Sequence, residues 1–398
     1  MNRFLTAAVG AVALLAVDVG AADASHGRGG VIVPEIDANG MLTVTGQSFW
    51  DPTGIATDGI TSVRIVGPGI NTTVFDNAGQ RTETLASAPG GDARRDQNGN
   101  VFTQQLSGAG TYTISWESCC MVGGIRNLQS SSSSSFGTTS TIVWDGVSAI
   151  KPILFDLTSI QQEVERGATY SDNLDALAGP GLTLSYTDPA PASPLNTTTP
   201  FGYSIDSTGT INISAADTAA MGDNTGRPTG GADYVFDGEI SAQDSTGAEV
   251  ASVEFYWVFD AVDSTGPGNR APSVSDLVVN ATVGDMIDET FTATDPDGDA
   301  VTLSFLQLVG SGGQIFTSMF DPVTGEFDWD TTGFAPGTYL ATVQGSDPFG
   351  LTDVGTLTIN LSSAPPSGVV PLPAPALLLL TGLLGAGGIM RARKRKQS

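Results

Sequence analysis

Histidine is almost absent from this chain: 398 residues contain only His26, placed near the start. A Ser-His-Asp or Cys-His catalytic site therefore has no general base to draw on, and a histidine-rich zinc site has no ligands. Cysteine is nearly as scarce. Cys119 and Cys120 stand side by side in ESCCMVGG, without the CxxC spacing of a thiolate metal site. Adjacent cysteines form a vicinal disulfide, remain two thiols, or pair between molecules, and all three outcomes stay open. Basic residues are the third scarcity: 16 Lys and Arg face 42 Asp and Glu, for a formal charge of −26. Such a body repels phosphate backbones, so nucleic acid is not an expected partner, whereas cations are. No segment nominates a carboxylate pair for glycoside hydrolysis, and the chain is read as non-enzymatic.

Amphipathic helices of ordinary length are also missing. The nearest candidate, Ser159 to Gly179, is interrupted by Gly167 and β-branched residues and is read as a strand edge or a short helical turn. What is present is glycine (50), proline (22) and short alternating runs such as LTVTG, YTISW and TINIS, separated by DPTG, VGPG, DSTG, DPDG and DPVTG. This is the texture of an all-β protein built from sandwiches.

Two later stretches repeat each other. FGYSIDSTGTINISAADT (Phe201 to Thr218) matches FTSMFDPVTGEFDWDTTG (Phe316 to Gly333). Asp233 to Trp257 matches Gly337 to Ile359 in the same order. The expectation is two copies of one sandwich, 150–262 and 271–361, joined by DSTGPGNRAP. A further unit at 30–147 shares the texture without the repeat, and its serine run, Ser130 to Ser140, is expected to be a solvated loop.

The ends differ from the body. Arg3, the apolar run Phe4 to Val17 and Ala22-Asp23-Ala24 read as a signal peptide covering 1–24. At the other end a linker, 362–368, leads into 369–398. There Val370-Pro371-Leu372-Pro373-Ala374 precedes Ala376 to Met390, too short for a relaxed membrane span, and then Arg391, Arg393, Lys394, Arg395 and Lys396. This tail resembles the VPLPA variant of the bacterial PEP-CTERM sorting signals. The resemblance implies a short hydrophobic helix held in the inner membrane of a Gram-negative bacterium. It also implies an exosortase as processing partner, and a final place at the cell surface or outside the cell.

NRAP, ATDPDGDAVTLSF, FDPVTGEFDW and GTYLATVQGSDPFG in the last copy resemble the cadherin-like modules of the dystroglycan type and the putative-Ig modules of bacterial surface proteins. That resemblance implies tandem Ig-like/cadherin-like Greek-key sandwiches with adhesive or spacer roles and calcium near module junctions. Asp295, Asp297 and Asp299 alternate in DPDGD, and the resemblance implies that Asp347 and Asn269 share their ion. The turn is not an EF-hand, because Ala300 and Leu306 stand where glycine and a bidentate glutamate are required. The competing reading is a solvated turn whose aspartates cap backbone N–H groups. In the first copy the DPDGD element is replaced. Of the five tryptophans, Trp116 and Trp257 lie in alternating strands and are read as core. Trp50 borders the DPTG turn and is either packed or a sugar contact. Exopolysaccharide or other surface proteins are thus expected partners.

Overall fold

The computed structural model describes residues 27–363 apart from internal breaks, the longest at 51–58, 87–93, 189–201 and 223–231. The signal peptide, the tail with Val370 to Ala374, and Cys120 lie outside the described residues, and Cys119 is described only as the last backbone position of a strand. No helix among the described residues is long and apolar enough to cross a membrane.

The first segment forms β1 (Gly27–Ile36), β2 (Met41–Trp50), β3 (Ser62–Gly67), β4 (Ile70–Phe75), β5 (Thr82–Ala86), β6 (Arg94–Gln105), β7 (Gly110–Cys119) and β8 (Ser135–Trp144). The second forms β9 (Ile153–Leu154), β10 (Glu163–Glu165), β11 (Tyr170–Asn173), β12 (Leu177–Ala178), β13 (Thr183–Thr187), β14 (Ser204–Ile205), β15 (Thr210–Ile213), α1 (Ala215–Ala220), β16 (Ala232–Gln243) and β17 (Glu249–Val262). The third forms β18 (Ser273–Val274), β19 (Leu277–Thr282), β20 (Met286–Thr290), β21 (Ala293–Thr294), β22 (Thr302–Gly310), β23 (Gly313–Ile315), β24 (Met319–Phe320), β25 (Glu326–Asp330), β26 (Gly337–Ser346) and β27 (Thr352–Ser362). The serine-rich stretch ends inside β8 rather than in a loop. Phe136, Thr138 and Ser140 alternate inward there, and the Ser140 hydroxyl donates to the Ile32 carbonyl at 2.6 Å.

The second and third segments share one strand plan. β9 pairs β12 as β18 pairs β21, and β11-β15-β14 corresponds to β20-β25-β24. β10 runs parallel to β17 as β19 does to β27, and β13-β16-β17 corresponds to β22-β26-β27. In the third segment the two sheets close on a core that includes Phe291, Phe327, Trp329, Tyr339 and Leu357. That is a two-sheet sandwich, with polar residues alternating outward.

The boundary expected between 147 and 150 does not separate two sheets. β17, EVASVEFYWVFDAV, is buried on both faces over most of its length, which suits a central strand. One edge pairs with β16 throughout. The other serves β8 at Ala251–Val253, β1 at Phe255–Trp257 and β10 at Asp260–Val262. The first two segments consequently share one hydrophobic core running from Val31 to Ala261. Aromatic rings crowd β1 so closely that a Cβ on Gly30 would lie 2.5 Å from the Trp116 ring. Arg28 of β1 makes a buried ion pair to Asp260 of β17 at 2.7 Å.

The third segment is keyed to the others through Asp156, whose buried carboxylate ends the loop before a 3-10 turn at Leu157–Ser159. Its Oδ1 accepts from Gln47 Nε2 and Thr158 N, both at 2.9 Å, and from Gln307 Nε2; its Oδ2 accepts from Thr342 Oγ1 at 3.2 Å. One carboxylate thus gathers donors from β2, β22 and β26, which offset the cost of burying it. Burial pushes its pKa up while those donors pull it down.

Candidate metal centre

The residues expected to share an ion come together where the second module meets the third. DPDGD closes a tight turn, with Gly298 N donating to the Asp295 carbonyl at 3.2 Å. Asp295 Oδ1 then accepts from the backbone N of Asp297 at 2.7 Å and of Asp299 at 3.2 Å. GSDPFG closes a second such turn, where Asp347 Oδ1 accepts from Phe349 N at 2.8 Å and Leu351 N at 2.9 Å. The capping role foreseen for isolated aspartates is therefore real, but it uses only one oxygen of each.

The remaining oxygens lie near the junction, where no three of the described carboxylates come within 4.8 Å of one another. Asp347 Oδ2 accepts from Asn269 Nδ2 at 2.5 Å, and both residues are buried. Asn269 Oδ1 and Asp295 Oδ2 are buried and accept no hydrogen bond. A buried acceptor without a donor costs about 1–3 kcal/mol, and two of them beside further carboxylates suit a hard cation. Calcium takes six to eight such oxygens, and carboxylate and amide oxygens are its donor set. Asp295, Asp299, Asp347 and Asn269 offer donors of that type.

Electrostatics draw the same boundary around the site. Partial desolvation and then the Asp295, Asp297 and Asp347 carboxylates raise the pKa of Asp299. Glu165, at the end of β10, is raised by burial and then by Asp347 and Asp297. Glu165 belongs to the preceding module and was not expected from the sequence. It reaches the site because β10 runs parallel to the end of β17, immediately before the linker. One cation of the chain is already there. Arg270 donates from its backbone N to Asp297 Oδ2 at 2.8 Å and from Nη2 to Oδ1 at 2.8 Å, which holds the Asp297 carboxyl below the usual range.

A second acidic group competes for attention. Asp288 of β20 and Glu326 and Asp328 of β25 bring carboxylate oxygens within 4.8 Å of one another, more tightly than the junction acids do. They lie on the outer face of a three-stranded sheet, largely in solvent, where acidic neighbours are common without an ion. The junction is the better candidate because its unpaired oxygens are buried.

No protein family matches the chain, and no curated protein matches it. Among solved structures, the tandem Ig repeats of Dlar are 11% identical over 54% of this chain and 99% of theirs, with a TM-score of 0.22. Drosophila N-cadherin EC1-4 is 14% identical over 72% of this chain and 68% of its own, also at 0.22. Sidekick-1 immunoglobulin domains 1-4 are 10% identical over 83% and 74%, at 0.18. Likenesses at these TM-scores carry no argument, and the fold stands on the strand ladders described above.

Trp50 is not a sugar platform. It is 1% exposed at the end of β2, its indole N–H donates to Ser48 Oγ at 2.8 Å, and Trp116 and Phe136 pack on its ring. DPTG follows it in sequence, but its neighbours in space come from β7 and β8. All five tryptophans are buried.

Proposed function

We propose that the chain is a non-enzymatic exported spacer or adhesion protein whose last two modules are stiffened by calcium at their junction. The observation that carries this is the pair of buried, unpartnered oxygens on Asn269 and Asp295. They lie in a cluster that draws Glu165 from one module and Asp347 from the next. A cation there would bind both modules and the linker at once, so its energetic effect falls on their relative freedom as well as on local stability. Export and delivery follow from the ends: removal of 1–24, retention at the inner membrane through Ala376 to Met390, then cutting near Val370 to Ala374 by an exosortase and residence at the cell surface. Loss of the five terminal bases leaves the processed protein more acidic still.

The test is thermal unfolding of the leader-free chain in calcium and in chelator. Calcium should raise Tm by several degrees and protect the linker, 263–270, from proteolysis. Asp295→Asn and Asp347→Asn should each abolish both effects, while Asp288→Asn leaves them intact. If Asp288→Asn removes the response and Asp295→Asn does not, the ion sits on the outer sheet face and the junction reading fails.

A further inference from the structure

The first segment turns to solvent a face that carries little charge. β4, β3, β7 and β8 lie side by side in that order. Their outward residues fall in rows set by the ladder register: Thr73, Arg64, Ser115 and Thr139 in one, Asn71, Val66, Thr113 and Thr141 in the next. Strands about 4.8 Å apart place these side chains in adjacent rows. On a protein with a formal charge of −26, these four strands hold a single carboxylate, Glu117. Their one cation, Arg64, donates to Asn71 Oδ1 at 3.2 Å.

At the open edge of this face stands Phe75, opposite Ser62 and 71% exposed. It is the one aromatic among the large apolar side chains exposed on the described residues, and Val66 on the neighbouring strand is also exposed. An aromatic ring held in water is an unfavourable arrangement for folding alone. Beside rows of hydroxyl and amide groups it has the make-up of a carbohydrate contact: a ring for the C–H face of a sugar, donors and acceptors for its hydroxyls.

We propose that the β4-β3-β7-β8 face binds a neutral polysaccharide strand, with Phe75 stacking on a sugar ring and Thr73, Thr111 and Thr113 exchanging hydrogen bonds with its hydroxyls. The partner is uncharged because the face offers almost no net charge, while the surrounding acidic surface repels a polyanion. The site is independent of the calcium junction, which lies in other strands.

Native affinity electrophoresis of the leader-free full chain tests this, with hydroxyethyl cellulose, dextran, galactomannan and alginate cast separately in the gel. The expected result is retardation by at least one of the three neutral polymers, undiminished by chelator. Phe75→Ala and Thr113→Glu should each weaken it at least fivefold, and Val323→Ala, an exposed apolar site on the third module, should not. Both test positions are exposed, so the fold tolerates the changes. Absence of retardation by all three neutral polymers overturns the proposal. Stronger retardation by alginate does so too, as does retardation unchanged by both variants.

Discussion

At the scale of single residues, Arg270 has the clearest consequence. Its guanidinium already neutralises Asp297 and lies in solvent for much of its surface. A calcium ion entering the junction therefore meets one fixed positive charge among carboxylates that otherwise favour it. Arg270→Ala should tighten calcium binding roughly fivefold, the scale expected for one partly screened charge pair, as read by calorimetric titration. Weaker binding in the variant would mean that Arg270 organises the site instead of competing for it. Asp295, Asp297, Asp299, Asp347 and Asn269 were named through the resemblance to cadherin-like modules, and the turns that Asp295 and Asp347 cap were legible because their geometry is local. Glu165 was not, because its place depends on β10 pairing in parallel with β17, almost a hundred residues further along. Trp50 stayed open between packing and a sugar contact for the complementary reason: the residues beside it in sequence say nothing of the Phe136 ring that covers it.

Among elements, the repeated hairpin allows a matched comparison. β14 and β15 are joined through Asp206 to Gly209, and β24 and β25 through Asp321 to Gly325; both glycines have positive φ, +82° and +76°. A Cβ on Gly325 would lie 2.3 Å from the Phe291 carbonyl oxygen, which is backbone, whereas one on Gly209 would meet the Tyr186 ring at 2.7 Å. A half-buried ring can move aside, and a backbone carbonyl held by its own chain cannot. Gly325→Ala should cost about 2 kcal/mol or more, and Gly209→Ala about 1 kcal/mol, measured by urea unfolding. Equal losses would show that the φ preference alone decides the cost. These hairpins, and the repeat they belong to, could be read from sequence because turn chemistry and alternation are short-range signals. The sharing of β17 between segments could not. Its long apolar run marks a doubly buried strand, but the run does not say which strands flank it.

For the whole molecule, protons and calcium should act on the module junction with opposite pH dependence. Away from the Asp295–Asp347 cluster, the second module turns Asp172 and Asp175 toward Asp276 and Asp353 of the third. Burial raises Asp172 and Asp353, and burial with the charge of Asp276 raises Asp175 to about 7. A raised folded value means that the native state holds the proton more tightly than the unfolded chain does. The stability contributed is complete at low pH and is lost as pH rises through the folded value, so for Asp175 the loss runs from about pH 4 to about pH 7. Its upper limit is about 4 kcal/mol from the shift alone. Asp175→Asn should remove that slope without straining the backbone, because asparagine accepts the left-handed φ of 49° found there. Calcium binding needs ionised carboxylates, and its contribution, about 2.7 kcal/mol at a hundredfold excess over Kd, therefore grows with pH. Urea unfolding in chelator should show the chain less stable at pH 8 than at pH 5. Calcium should add more stability at pH 8 than at pH 5. Asp175→Asn should raise stability at pH 8 in chelator while leaving the calcium increment in place. A calcium increment that disappears in Asp175→Asn would show that the two acidic groups act as one site.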